Sequence, residues 1–382
     1  MEKTFTTAIG MMSGTSMDGI DAVLVRIYED FKFDVIKTHS LDYPCGIKEL
    51  LLKAANNNAS VKDVCFLDFA VGRLFAKCAN ELVEKSGLKK EQIDYIASHG
   101  QTVFHMPQEI EIDGVKTAST LQIGNLSVIA HDTGIETIGD FRSKDIAAGG
   151  QGAPLVPFAD ELIFGKDIPR AIQNIGGIGN VTVLSNSCEI FAFDTGPGNM
   201  LIDLFMQKLF NQPFDKGGET AAKGAVDENW LKMLLKEPYY TQPPPKSTGR
   251  ELYNNDYAEN IFKSAPENKY DVIATLSALT AKTIADAYRN FVFPVTDIKE
   301  VVIGGGGAYN KSILKYLNEF LGSGIAIKTH SDYGIKDKFK EAIAFAMLGF
   351  CTYNKKFNNL PACTGAKKRV IMGITACKDS TE

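Results

Sequence analysis

One pattern occurs twice, about half a chain apart, and constrains the fold more than any other. An apolar strand breaks into a short run of glycine and small polar residues, then resumes as a second strand rich in β-branched residues. It is written IGMMSGTSMDGIDAVLV over residues 9–25 and RAIQNIGGIGNVTVLS over 170–185. Glycine permits backbone conformations that a side chain forbids, so each run reads as strand, tight turn, strand. Such a turn gathers backbone N–H groups and hydroxyls into a small concavity that suits an anion. The second copy continues into a third strand, EIFAFDTGPGN, that ends in a polar turn. A length of 382 residues is long for one core and suits two domains, so a duplicated lobe is expected although the two copies share little sequence.

The common phosphate binders do not fit. A P-loop requires G-x-x-x-x-G-K-[ST], and neither Gly-Lys-Ser nor Gly-Lys-Thr occurs in the chain. A dinucleotide fingerprint needs a helix straight after its glycines, whereas IDAVLVRI is strand-like. Farther on, EVVIGGGGAYNKSILKYL (300–317) reads as a buried strand, four glycines and an amphipathic helix, an order that offers a helix N-terminus to a nucleotide. Two phosphate-bearing hairpins and a glycine-rich adenosine loop make up the plan of the actin, sugar-kinase and heat-shock chaperone superfamily. The expected fold class is therefore α/β: a two-lobed actin-like ATPase fold, a duplicated RNase H-like unit with a cleft between lobes.

Between these landmarks, apolar residues at three- and four-residue spacing predict a helix over 62–85, and strong helices are expected over 270–291 and 340–353. The strand DYIASHG ends in Ser98, His99 and Gly100, small polar residues of the kind that face sites in α/β proteins. Asp113-Gly114 marks a hairpin, and GGQGAPLVPF (149–158) is too rich in glycine and proline for a regular element, so it reads as a loop or domain crossing. The first lobe is expected over 1–138 plus 361–382 and the second over 139–360.

Charge and composition narrow the function classes. A net charge of -5 argues against nucleic acid as a partner. The start, MEKTFTTAIG, lacks the basic and apolar parts of a secretory signal, and no run approaches the ~20 apolar residues of a membrane span. A cytoplasmic protein without membrane partners is expected. Seven scattered cysteines without C-x-x-C fit reduced thiols, and the five histidines include no H-E-x-x-H.

In chain order, MSGTSMDGID, SHGQT, GDFRSKDIAAGGQGAPLVP, NIGGIGNVT, FDTGPGNMLID, PKSTGRE, GGGGAYN and a final TGA lie between Gly10 and Ala366. In these blocks the sequence resembles the anhydro-N-acetylmuramic acid kinases. The resemblance implies a small-molecule sugar substrate, 1,6-anhydro-N-acetylmuramic acid, which is opened and phosphorylated on oxygen 6. The products are N-acetylmuramic acid 6-phosphate and ADP, in peptidoglycan recycling, with ATP and Mg²⁺ as cofactors. The family often forms dimers, so a homodimer is the expected assembly. An ordinary N-acetylhexosamine kinase, or a non-catalytic sugar sensor or actin-like ATPase, are the alternatives.

The chemistry asks little of the protein's own acids and bases. An inverting glycosidase needs two carboxylates to bring water to C1 while oxygen 6 departs. If the γ-phosphate of ATP captures that oxygen, one base that orients and deprotonates water suffices. Asp194 in FDTGPGN follows an apolar strand, so its carboxylate is either a base fixed at a strand end or a cap for the following turn; the resemblance implies the base. The resemblance also assigns phosphate and nucleotide contacts to Gly14, Thr15, Ser16, Met17, Asp18, Gly19, Ile20 and Asp21 in the first turn. It assigns Gly176, Gly177, Gly179 and Asn180 to the second turn, and Gly304, Gly305 and Gly306 to the adenosine loop. Arg142, Glu341 and Thr102 are the expected sugar contacts. Read locally, Arg142 is equally a surface ion-pair partner and Glu341 a favourable acid in a first helical turn. Asp18 is a candidate outer-sphere Mg²⁺ ligand or a plain turn residue. His99 reads as a structural hydrogen bonder.

Overall fold

The structure, a computed structural model, describes residues 4–249 and 251–379; Arg250 of PKSTGRE lies outside them. The chain divides into two compact units, 1–164 with 338–382, and 165–337.

The first unit is built on a seven-stranded sheet of β1 (Phe5–Ser13), β2 (Gly19–Tyr28), β3 (Phe33–Asp42), β4 (Tyr95–Ile112), β5 (Val115–Ile123), β6 (Thr137–Gly139) and β12 (Ile374–Ala376). The order is β12-β6-β4-β1-β2-β3, with β5 paired to β4 alone. The second unit has a five-stranded sheet of β7 (Arg170–Ile175), β8 (Ile178–Leu184), β9 (Phe191–Pro197), β10 (Glu300–Gly304) and β11 (Ala326–Thr329), ordered β11-β10-β7-β8-β9. The two sheets share one topology. In each, the first three strands form an antiparallel meander, a fourth strand returns parallel to the first, and a further strand, β6 or β11, lies parallel beside the fourth; the first sheet adds β5 and β12, both antiparallel to their neighbours. The repeat in the sequence is thus a repeat of the RNase H-like strand order.

Local signals place the main helices. Val61–Ser86 starts at a capping box formed by Ser60 and Asp63 and stops at Gly87 in the left-handed conformation. Its face of Leu67, Val71, Phe75, Leu82 and Val83 is buried with Ile9, Leu24 and Ile96 of the sheet. In the second unit Lys269–Ala287 is buried over nearly its whole circumference, which explains the missing polar face. The regular helix expected to reach 291 ends at Ala287 and opens into a π-helical turn, Tyr288–Val292, where the Tyr288 hydroxyl donates to Gln173 Oε1 at 2.9 Å.

Two expectations are corrected. GGQGAPLVPF does not stay irregular: a helix, Val156–Phe164, begins inside it, and its proline sits in the first turn, where no intrahelical N–H is needed. Nor does that segment cross between units. Residues 139–164 and the helix Lys340–Tyr353 belong with the first unit, beyond the limits of 138 and 361 that the sequence suggested. Packing dictates this. A Cβ on Gly10 of β1 would lie 1.9 Å from Ala342 O, so the helix rests directly on that strand. The buried Asp145 carboxylate also ties the glycine loop to the C-terminal segment, accepting from Gly152 N (2.9 Å), Asn359 Nδ2 (2.9 Å) and Thr364 Oγ1 (2.8 Å).

Candidate active site

The first turn, residues 14–18, is closed by Met17 N donating to Gly14 O at 3.1 Å. Met17 takes a left-handed φ of 53° and sinks its side chain into the core beside Met11 and Ile20. A bulky residue in that region is uncommon, and burial of its side chain is what offsets the backbone cost. The buried Gln101 of β4 completes the clamp. Its Nε2 donates to Gly14 O at 3.2 Å, and Ser13 Oγ lies 2.6 Å from its Oε1 and 2.7 Å from Gly19 O. The side chains of Thr15, Ser16 and Asp18 are left exposed, and a Cβ on Gly14 would meet nothing within 4 Å.

Not every residue expected at this turn faces it. Ile20 is buried in the core, so only its backbone is available to a ligand. Gly19 is required by β3, because a Cβ there would lie 2.4 Å from Leu41 O. The Asp21 carboxylate accepts from Ser40 Oγ on β3 at 2.6 Å. Asp18 pairs with Lys48 at 2.5 Å, and hydrogen bonds from Lys48 and Ser16 hold its carboxyl below the usual range. It is therefore an exposed, ionised carboxylate beside the turn, the donor type that magnesium takes through water. Among the described residues there is no cluster of three metal-ligating side chains.

The second turn, Gly176-Gly177, is clamped from one side. Gly177 O accepts from Gly198 N (2.9 Å) and Met200 N (3.1 Å), and Gly176 O from Asn199 N (2.7 Å). The Asn199 amide adds hydrogen bonds to Ile175 O (3.0 Å) and Gly176 O (3.1 Å). In a trans peptide the next N–H points opposite to the carbonyl, so the N–H groups of residues 176, 177 and 178 are directed away from residues 198–200. Three successive donors on one side form a nest for an anion. Gly179 and Asn180 lie in the β8 ladder, and Asn180 stands opposite Asp194 of β9.

The four glycines that end β10 and follow it have separate reasons. A Cβ on Gly304 would lie 2.0 Å from His330 Cε1, one on Gly305 2.6 Å from Asn174 Oδ1 and one on Gly307 2.3 Å from Ile175 Cγ2. Gly306 alone of the four opens outward, with Asn199 Nδ2 at 3.4 Å as its one close neighbour. Asp337 holds the loop by accepting from Gly305 N (3.1 Å) while lying 2.7 Å from His330 Nδ1. Asn199 thus holds the second turn and also lies beside Gly306 of the glycine-rich loop.

Asp194 is half-buried on β9. Its Oδ2 accepts from Thr248 N at 2.9 Å, its N donates to Lys246 O at 3.1 Å and its O accepts from the Tyr239 hydroxyl at 2.9 Å. Burial pushes its carboxyl above the ordinary range, with Glu251 adding to the rise while the Thr248 N–H and Lys246 oppose it. A carboxylate fixed by one N–H, with a pKa drawn toward neutrality, is equipped to take a proton.

In the first unit Arg142 is held by two partners. Nη1 donates to Gly152 O (2.7 Å), while Nε (3.2 Å) and Nη2 (3.0 Å) point to His99 Nε2. His99 Nδ1 in turn donates to Gly100 O (3.0 Å), and burial with the neighbouring guanidinium pulls its pKa down to about 3. The imidazole is a neutral acceptor that orients Arg142, which bears out the structural reading of His99. The Thr102 hydroxyl accepts from Gln122 Nε2 at 3.2 Å. Glu341 is exposed in the first turn of Lys340–Tyr353, next to a Lys340–Asp160 ion pair of 2.5 Å that anchors the helix start.

Sequence reasoning missed Gln101, Asn199, Lys246 and Thr248. All four lie inside blocks it quoted, SHGQT, FDTGPGN and PKSTGRE, yet their partners are distant in sequence.

A family model described as anhydro-N-acetylmuramic acid kinase matches residues 6–378. Curated relatives of that description include one from Caldanaerobacter subterraneus subsp. tengcongensis, 43% identical over 96% of this chain and 95% of its own. One from Clostridioides difficile is 44% identical over 96% and 97%, and one from Francisella tularensis subsp. novicida 44% over 96% and 97%. Among solved structures, component A of Acidaminococcus fermentans (R)-2-hydroxyglutaryl-CoA dehydratase gives a TM-score of 0.46 at 15% identity, covering 90% of this chain and 96% of that one. A ROK hexokinase from Thermus thermophilus gives 0.37 at 11%, covering 90% and 100%.

Proposed function

The chain belongs to the anhydro-N-acetylmuramic acid kinase family, and on that footing we propose how its residues divide an ATP-dependent ring opening and phosphorylation of 1,6-anhydro-N-acetylmuramic acid. Water attacks C1, the C1–O6 bond breaks, and oxygen 6 takes the γ-phosphoryl group, giving N-acetylmuramic acid 6-phosphate and ADP. Asp194 is the base that receives the water proton. The observation that carries this is its carboxylate, half-buried, held by the Thr248 N–H and raised in pKa by burial.

The N–H nest of residues 176–178 and the open turn 14–18 are the phosphate contacts, supported by the inward engagement of their carbonyls. Within the first turn the ligand-facing groups are the backbone of Gly14 and Thr15 and the side chains of Thr15, Ser16 and Asp18. Gly306 is the adenosine-loop position open to a nucleotide. Arg142, fixed as a fork by His99, binds an anionic group of the sugar, and Glu341 and Thr102 are further sugar contacts. Magnesium, bound with ATP, neutralises phosphate charge, and Asp18 would hold it through water.

The test is ADP release with Mg-ATP and the anhydro sugar in ¹⁸O-labelled water, with mass analysis of the product. Sugar-dependent ADP and label at C1 are expected. Unlabelled product phosphorylated on a free hydroxyl would mean an ordinary hexosamine kinase, and ADP independent of sugar would remove the kinase reading.

A further inference from the structure

Lys246 is a buried lysine of the second unit, 9% exposed, and its surroundings are those of a built site. Its ammonium stands over three aromatic rings, with centroids of Tyr239 at 4.7 Å, Phe291 at 4.9 Å and Phe193 at 5.9 Å. It also donates to Tyr239 O (3.2 Å) and Tyr240 O (3.3 Å). Desolvating an ammonium is costly, and aromatic faces with two carbonyls recover part of that cost. The contacts with Tyr239 and Tyr240 close the segment 239–248 on itself, and those with Phe193 of β9 and with Phe291, which packs on Phe193, join it to the strand. Phe193 precedes Asp194, Lys246 O accepts from Asp194 N, the Tyr239 hydroxyl donates to Asp194 O, and two residues on, Thr248 N donates to the Asp194 carboxylate.

We propose that Lys246 is a positioning residue for Asp194: its caged ammonium fixes the 239–248 segment against β9, so that the Thr248 N–H holds the Asp194 carboxylate in the orientation the reaction needs. This rests on the reading of Asp194 as the base. The ionisable groups acting on Asp194 are Lys246 from its own clamp and Glu251, and Tyr239 lies close enough to feel the carboxylate. Lys246 is the cation of that set, and it favours the charged carboxylate. Loss of the ammonium therefore moves the protonation of Asp194 to higher pH as well as loosening its hydrogen bond.

Lys246→Met keeps the apolar stem and removes the charge and donors. It is expected to lower kcat by roughly 10- to 10²-fold, the scale of a small misplacement of a reacting group, with KM for ATP and for the sugar unchanged. The acid limb of the pH profile should move up. Lys246→Gln, which keeps a donor toward the carbonyls, is read in the same way if the Met variant does not fold, judged by Tm. The cycle with Asp194→Asn decides the matter. A double variant no slower than Asp194→Asn alone supports action through Asp194. Full additivity, or an unmoved kcat and acid limb in Lys246→Met beside a disabled Asp194→Asn, overturns the proposal and leaves the base in place. An active Asp194→Asn removes the base, and the positioning role falls with it.

Discussion

The two units place a glycine turn at the same point of the same topology and hold it by different chemistry. In the first, residues 14–18 separate β1 from β2, and side chains do the holding: Met17 plugs into the core and Gln101 and Ser13 grip the carbonyls of Gly14 and Gly19. In the second, two glycines separate β7 from β8, and backbone N–H groups of residues 198–200 with the Asn199 amide do it. A longer turn can display hydroxyls and a carboxylate and needs an anchor. A two-glycine turn offers only N–H groups, and the segment that clamps it leads directly from Asp194. The comparison teaches that the duplicated fold holds its two turns by different means, with the half-buried Asp194 on the strand that leads to the clamp of the shorter one.

The largest expected effect breaks the symmetry outright. Asp194→Asn should cost roughly 10² to 10⁴ in kcat, the usual worth of a general base. Asp42→Asn, at the end of the corresponding third strand of the first unit, should leave kcat within about twofold, since a surface position away from the chemistry is usually tolerant. Steady-state kinetics of the pair check this, and equal losses would deny that the units differ in role.

The glycines sharpen the contrast next. A Cβ on Gly198 would lie 2.3 Å from Gly176 O, whereas one on Gly14 has open space. Gly198→Ala should destabilise by about 1–3 kcal/mol, the usual cost of overpacking, and raise KM for ATP. Gly14→Ala should leave unfolding within about 0.5 kcal/mol of wild type while raising KM for ATP. Urea unfolding and nucleotide titration separate the two effects.

Gln101→Leu tests the side-chain clamp. Losing the Gln101 hydrogen bonds, while the Ser13 hydroxyl keeps Gly19 O and the Gly14 carbonyl keeps Met17 N, should cost about 0.5–1.5 kcal/mol, read as a lower unfolding midpoint with an unchanged m-value.

The smallest effect is one of pH. Because burial raises the Asp194 pKa, the acid limb of kcat/KM should lie above the ordinary carboxylate value of about 3.9, activity falling as pH drops through it. The sign for stability is opposite. A carboxyl with a raised folded pKa stabilises fully below its unfolded pKa, and that contribution is lost as pH rises through the folded value. Asp194→Asn should therefore melt higher than wild type at pH 7, with the gap closing toward pH 4. A lower Tm at pH 7 would assign the loss of activity to misfolding. His99, held near 3, adds no limb between pH 5 and 8.

Much of this was legible in the sequence, for reasons that can be named. The 3.6-residue period placed Val61–Ser86 and Lys340–Tyr353 almost to the residue, and glycine runs between apolar segments marked both hairpins. The apolar run before Asp194 marked its strand, but Asp194 sits in the middle of β9 rather than at its end, because the strand continues through the glycine to Pro197. Of Gly304, Gly305 and Gly306, read as ligand contacts, the first two also leave no room for a Cβ, beside His330 and Asn174, a demand that no local pattern shows. The helix hidden in GGQGAPLVPF was missed because glycine and proline dominate its flank, although proline is at home in a first turn.

The sequence by itself determined the periodic elements, the turn chemistry and, through eight ordered blocks, the family. Those are properties of residues close together in the chain, where sterics and hydrophobic period act locally. Tertiary structure alone decided that Gln101 serves residue 14, that the Lys246 ammonium sits in an aromatic cage behind Asp194, and that the helix Lys340–Tyr353 packs on Gly10. Such pairings are set by which buried surfaces and unsatisfied carbonyls meet once the sheets have formed, and no local pattern encodes a partner tens or hundreds of residues away.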